Sequence, residues 1–422
     1  MLKRLSPAFA LLALAAVFAG QAGAAGTGRY IVVLEDDVGS GSVAAYHEGF
    51  AGADVRARYT HALNGYAASL TPAALAAVKA DPRVDFVSPD RPVSVAAQSL
   101  PTGINRIDGE LSSTASGNGS GSVNVNVAVI DTGIDPSHPD LNVVGGKDCA
   151  PGLGFTDLNG HGSHVAGTIA AKDDANGVVG VAPGARLWAV KVLTDAGVGL
   201  TSDIVCGIDW VTSTRSDLDP NNNIAVANMS LGGGGSDDGN CGNSNNDAEH
   251  KAICRAVQAG VTFVVAAGND GVDFRSSVPA AYDEVLTVSA VTDYNGQPGG
   301  GGASTCRSGV DDQYADFSNF AVLAADQNHT IAAPGTCIHS TYMAGMYDTL
   351  SGTSMASPHV AGVAALCVST GACTGTPAQI TAKLRADAQA YTTGTPGFGF
   401  NGDPMRPVSG RYFGYLVRAG GY

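Results

Sequence analysis

The 422 residues carry a formal charge of −15 with only 14% of positions charged, so the surface is expected to be rich in Ser, Thr, Asn and Gly. Such a chain presents no basic face to a polyanion, which excludes nucleic acid as a partner. Beyond the N-terminal leader no stretch approaches the roughly 18 uninterrupted apolar residues of a membrane helix, so no membrane anchor is expected.

Residues 1–25 read as a signal peptide. Lys3 and Arg4 precede an apolar run from Ala8 to Phe18, and Ala22 to Ala25 supply small residues for cleavage. The mature chain is therefore expected to be secreted. All eight cysteines follow Asp148, and an even count in an exported chain implies disulfides. None forms a CxxC pair, so a cysteine zinc site is not expected. The short loops favour pairing of Cys241 with Cys254 and of Cys367 with Cys373.

Residues 26–96 have a small-domain pattern of their own. Tyr30 to Leu34, Gly65 to Leu70 and Val84 to Pro89 read as strands, and Val43 to Tyr59 and Pro72 to Ala80 as helices. That order predicts a small α+β sandwich. It holds no cysteine and no catalytic constellation, which suits a folding or interaction module. Val93 to Leu100 lacks periodicity and reads as a linker.

From residue 97 onward strands and helices alternate, which predicts a parallel sheet with helices on both faces. The strand ending at Ile130 runs into Asp131-Thr132-Gly133, and the strand Thr262 to Ala267 runs into Gly268-Asn269. Both residues thus fall at carboxyl ends of central strands, where open α/β sheets place their ligands. Each tripeptide alone could equally be a turn. Asn159 to Ala170 (NGHGSHVAGTIA) reads as a helix beginning near His161. His164, three residues on, lacks the spacing of the HExxH zinc motif and is expected to be a packed, hydrogen-bonded histidine. In Leu350 to Leu366 (LSGTSMASPHVAGVAAL), Ser354 stands where the helix begins. It is expected to cap that helix, with unpaired N–H groups and the positive dipole end beside its hydroxyl.

Three ambiguous signals agree when taken together. An acid, a histidine and a serine in the order Asp131, His161, Ser354 supply an orienting carboxylate, a general base and a nucleophile. An α/β-hydrolase would need the order Ser, Asp, His and a GxSxG elbow, and Ala356 occupies the last glycine position.

At these residues the sequence resembles the subtilases, secreted serine endopeptidases of the subtilisin and proteinase K type. VAVIDTGID (127–135), NGHGSHVAGTIAA (159–171), NMSLGG (228–233), VVAAGN (264–269) and SGTSMASPHVAG (351–362) carry the likeness. YIVVLEDD together with HALNGYAASLTPAALAAV resembles the inhibitory propeptide of that family. The resemblance implies a subtilisin-like α/β catalytic domain over 97–422 including a short C-terminal tail, with a propeptide over 26–96 that chaperones folding and is removed by a self-cut after Ala96. It implies Asn269 as a further catalytic residue, donating to the oxyanion. It implies that Gly197, Val198, Gly199, Ser230, Leu231 and Gly232 bind peptide substrate as an added strand, with Ser277 near the floor of the side-chain pocket. Broad specificity toward proteins and peptides follows. It implies a structural Ca²⁺ held by Gln98, Asp140, Asp174 and Asn176 with backbone oxygens of Lys172, Asn176 and Val178, and no organic cofactor. A monomer is expected, with the propeptide as its own partner. The loops Gly233 to Asp247 and Gly299 to Asp316, and the cysteines, depart from bacterial subtilisins, and alternation at Phe413, Tyr415 and Val417 suggests one or two extra strands. The alternative is a catalytically silent secreted binding protein on the same fold.

Overall fold

The computed structural model describes residues 27–90, 98–150 and 154–422. The proposed signal peptide and the cut between Ala96 and Ala97 lie outside the described residues. The chain forms two compact units that divide between Val95 and Ala96.

In the first unit an antiparallel sheet has the order Asp54–Tyr59, Gly65–Leu70, Gly28–Leu34, Val84–Pro89. Helices Ser40–Ala51 and Pro72–Lys79 cover it, and Val32, Leu34, Tyr66, Leu70 and Val78 form its core. The single helix expected from Val43 to Tyr59 is instead a helix followed by an edge strand. Gly52, at φ +69°, ends the helix with its N–H on His47 O, as a left-handed glycine does. Pairing with Gly65–Leu70 then makes a strand of Asp54–Tyr59.

The second unit is built on a mostly parallel sheet ordered Gln313–Tyr314, Leu286–Thr292, Thr262–Ala266, Ile224–Met229, Asn126–Asp131, Arg186–Lys191, Val143–Asp148. Thr330–Pro334 adds a parallel partner to Leu286–Thr292. Alternate residues of the central strand Asn126–Asp131 serve opposite faces. Val127 and Val129 pack with Val165, Ile169, Met355 and Val360, from helices His161–Ala170 and Thr353–Ser369. Ala128 and Ile130 pack with Ile208, Val211, Ile253 and Ala256, from helices Thr201–Ser213 and Ala248–Gln258. Both faces are dry, so the strand is apolar on both sides.

Disulfides join Cys149 to Cys206, Cys241 to Cys254, Cys306 to Cys337 and Cys367 to Cys373. The C-terminal tail makes isolated bridges, not strands: Tyr412 with Ala321 and Leu416 with Ala332. Phe413, Leu416 and Val417 are buried, so core packing overrides the expected alternation. Among the described residues no helix is long and apolar enough to cross a membrane.

Candidate active site

Asp131 closes its strand and is fully buried. Its Oδ1 accepts from Thr132 N at 2.7 Å and from His161 Nδ1 at 2.8 Å. Oδ2 is buried without a hydrogen-bond partner. A carboxylate only accepts, so the proton sits on Nδ1 and Nε2 keeps a lone pair. Burial works against charging His161, but the Asp131 carboxylate outweighs it and holds the pKa above the ordinary 6.5.

Asp157, which sequence reasoning missed, sets the start of the His161 helix. Almost fully buried, it accepts from Asn159 N, Gly160 N, Ser163 N, Ser163 Oγ and Thr132 Oγ1. It therefore takes the first-turn N–H of Ser163 and fixes the loop that enters the helix, while Asn159 Oδ1 and Thr132 Oγ1 take the N–H groups of His161 and Gly162. Gly160 stands at φ +102°, and a Cβ there would meet the Tyr342 ring, so only glycine permits this entry. His164 is buried, with Nε2 2.9 Å from Ile338 O. Burial pushes its pKa down to about 3, so it is a neutral packing residue.

Ser354 is not the helix cap that was expected. Gly352 takes the cap position and Ser354 lies inside the first turn of Thr353–Ser369. The reason is Asn269, whose Oδ1 accepts from Thr353 N at 2.8 Å and Thr353 Oγ1 at 3.0 Å and so supplies the cap from another segment. With its oxygen held by two donors, Asn269 stands in the wall of the cleft. Ser354 Oγ donates to Ser230 O at 3.2 Å, and Ser230 Oγ to Ser354 O at 2.8 Å. The Ser354 hydroxyl thus rests on the Ser230 carbonyl.

A cleft of about 860 Å³ is lined by His161, Ser354, Asn269, Thr353 and Asn159, and by every residue expected to bind substrate: Gly197, Val198, Gly199, Ser230, Leu231, Gly232 and Ser277. Gly233–Gly234 and Ser277–Val278 pair antiparallel at one side of it. Asp131 stands behind His161, away from the lining. A buried acid, a singly protonated imidazole, a hydroxyl at a helix start and an amide donor can together perform acyl transfer.

Residues 122–402 match the model of the Subtilase family, and residues 29–96 that of Peptidase inhibitor I9. The chain belongs to the subtilase family. Subtilisin amylosacchariticus of Bacillus subtilis subsp. amylosacchariticus is 39% identical over 331 residues, covering 77% of this chain and 76% of that one. Subtilisin DY of Bacillus licheniformis is 40% identical over 277 residues, 65% of this chain and 86% of the relative. A crystal structure of a cold adapted subtilisin-like serine proteinase superposes with TM-score 0.53 at 31% identity, covering 70% of this chain and 89% of its own. This subtilase is accordingly a serine endopeptidase zymogen with an inhibitor-type propeptide.

Of the residues expected to hold calcium, Gln98, Lys172, Val178 and Asp140 are in direct contact. Gln98 Nε2 donates to Lys172 O at 2.7 Å and Val178 O at 3.2 Å, while Asp140 Oδ2 accepts from Val178 N at 3.0 Å. Gln98 Oε1 and Asp140 Oδ1 are buried without partners. Burial pushes the Asp140 carboxyl up to about 6, and Asp174 adds to the rise. A half turn of the Gln98 amide would set its oxygen beside the Lys172 and Val178 carbonyls, and with the Asp140 carboxylate nearby these oxygen donors are of the type that Ca²⁺ takes. Asn176 binds back onto Asp174 through its N–H and amide. Neighbouring Asp173 is occupied elsewhere, accepting from Gly117, Gly119 and Gly121 N–H groups.

Proposed function

We propose that Ser354, His161 and Asp131 carry out peptide-bond hydrolysis with Asn269 as oxyanion donor. Ser354 Oγ attacks the carbonyl carbon as His161 Nε2 takes its proton. The carbonyl oxygen becomes an oxyanion between Asn269 Nδ2 and the first-turn N–H of Ser354. His161 returns the proton to the leaving amine, and an acyl-enzyme remains on Ser354. Water, deprotonated by the same imidazole, releases the acyl group as acid. Asp131 keeps the tautomer and stabilises the imidazolium. The observation that carries this reading is the 2.8 Å contact from His161 Nδ1 to buried Asp131, with His161, Ser354 and Asn269 on one cleft.

The peptide binds along Gly197 to Gly199 and Ser230 to Gly232 mainly through backbone, so the enzyme accepts many sequences. Ser277 leaves room for a large apolar side chain. The chain is secreted after loss of residues 1–25 and acts as a monomer, with 26–96 as propeptide and 97–422 as mature enzyme after its self-cut at Ala96. Gln98, Asp140, Lys172, Asp174, Asn176 and Val178 hold a structural calcium, which would neutralise the Asp140 and Asp174 charges and tie the mature N-terminus to their loop.

The test uses an organophosphorus probe and the full chain. Purified mature enzyme should be labelled at Ser354, and Ser354→Ala precursor should accumulate uncut. Labelling elsewhere, or self-cutting by Ser354→Ala without another protease, overturns the assignment.

A further inference from the structure

Outside the cleft, three groupings among the described residues bring metal-type donor atoms within 4.8 Å of one another. Two are already occupied. Cys241 and Cys254 share a disulfide, so no thiolate faces Glu284. Asp238, beside His250, accepts N–H groups from Asn240, Gly242, Ser244 and Asn245.

The third grouping, Asp283, Asp326 and His329, is unsatisfied. His329 is 6% exposed and Asp326 5%, and neither His329 Nε2 nor Asp326 Oδ2 has a hydrogen-bond partner. His329 Nε2 faces Asp283 Oδ1 at 3.8 Å, beyond hydrogen-bond range. The tautomer follows from the other ring nitrogen. Thr287 Oγ1 gives its hydrogen to Ala280 O at 2.7 Å, so toward His329 Nδ1, at 3.3 Å, it can only accept. The proton therefore sits on Nδ1, and Nε2 presents a bare lone pair. That lone pair and two carboxylates converge on one spot, an arrangement that is repulsive until a cation lies between them. Asp237 and Asp273 add to the negative potential at Asp326. The nearby cations are engaged elsewhere: Arg275 with Asp273 at 3.4 Å, and Arg385 with Gln327 O and Thr330 O.

We propose that His329 Nε2, Asp326 Oδ2 and an Asp283 carboxylate oxygen bind a divalent transition-series cation, with zinc the expected occupant. Calcium takes six to eight oxygens, whereas imidazole with carboxylates suits Zn²⁺. Bonds of about 2.1 Å imply ligand separations of about 3.4 Å in a tetrahedron, so the side chains need close only slightly. Asp283 is half-exposed and leaves a fourth position to water. The ion would join the loop after Tyr282, the helical turn Ala324–Gln327 and the entry to Thr330–Pro334. Through Thr287 and Ala280 it would brace one wall of the cleft, which Ala280 lines.

The test uses full-length Ser354→Ala chain in saturating calcium, so that autolysis is absent and the oxygen-only site is filled. Zn²⁺ binding is followed by calorimetry, and Co²⁺ by visible ligand-field absorption. One equivalent of either should bind, with cobalt bands of mixed nitrogen and oxygen ligation, and zinc should raise the Tm. His329→Ala should abolish all three effects, and Thr287→Val, which frees the ring, should weaken binding about 10- to 100-fold. If His329→Ala does not fold, Asp283→Asn, at a half-exposed position, should show the same loss. Absence of binding in the folded calcium-loaded parent, or undiminished binding by His329→Ala or Asp283→Asn, overturns the proposal.

Discussion

Pro358 stands four residues after Ser354 in the same helix, so the Ser354 carbonyl has no helical N–H to accept, and Ser230 Oγ supplies the missing donor at 2.8 Å. A proline inside a helix ordinarily costs about 3 kcal/mol. Here the lost bond is replaced by one that ties the serine to the end of strand Ile224–Met229. Asn228 continues the tie, donating to Ser230 Oγ and accepting from Ser357 Oγ.

Ser230→Ala should leave the Ser354 carbonyl unpaired in a part-buried place. The expected cost is about 1–3 kcal/mol in stability, with a fall in kcat of about tenfold as the serine loses its fixed position. Pro358→Ala restores a helical N–H, so the double variant should recover most of the stability. Denaturant melts and steady-state kinetics of the four proteins give the coupling directly, and strictly additive losses would deny it.

The pH profile follows from His161. Its pKa is raised, burial opposing the charge and Asp131 prevailing, and the base works only when neutral. Activity should therefore rise with pH through a midpoint above 6.5, measured as kcat/KM of the free enzyme. Asp131→Asn removes the carboxylate, lowers that midpoint, and favours the wrong tautomer, with kcat falling about 10⁴-fold. An unmoved acid limb in Asp131→Asn would contradict this account.

Asn269 is fixed through its oxygen by Thr353, leaving its NH₂ for the transition state. Asn269→Leu should lower kcat by about 10²- to 10³-fold, the loss known for removal of such a donor from subtilisin, with KM nearly unchanged. Full activity in this variant would remove Asn269 from the oxyanion site.

Calcium that binds only the folded chain should add about 2.7 kcal/mol at a hundredfold excess over Kd. Chelation of Ser354→Ala protein should therefore lower its Tm, and Asp140→Asn should abolish the calcium dependence. A melting curve unchanged after proven removal of calcium would refute the site.

Much of the site was legible because its residues stand where local periodicity changes. Asp131 ends an apolar strand and His161 opens a helix of small residues, and both changes of pattern are visible in the sequence. Asn269 and Ser354 were located in the same way, and so was the alternation of strands and helices that makes a parallel sheet.

Only the tertiary structure decided how those ends are completed. The cap of the Ser354 helix comes from Asn269, 84 residues away, and the partner of its free carbonyl from Ser230, 124 residues away. Asp157 organises the His161 helix from an irregular loop that has no periodic signature. Asp54–Tyr59 became a strand because the next segment, Gly65–Leu70, offered it a hairpin edge, and the tail from Tyr412 packed without regular pairing because distant residues such as Ala321 and Ala332 offered apolar surface that outweighed local preference. His329 shows the same division: the sequence presents one more histidine, and the fold brings its bare nitrogen to Asp283 and Asp326. Local pattern decides where the chain bends and which face is buried, while hydrogen bonds and charges across a hundred residues depend on which strands become neighbours.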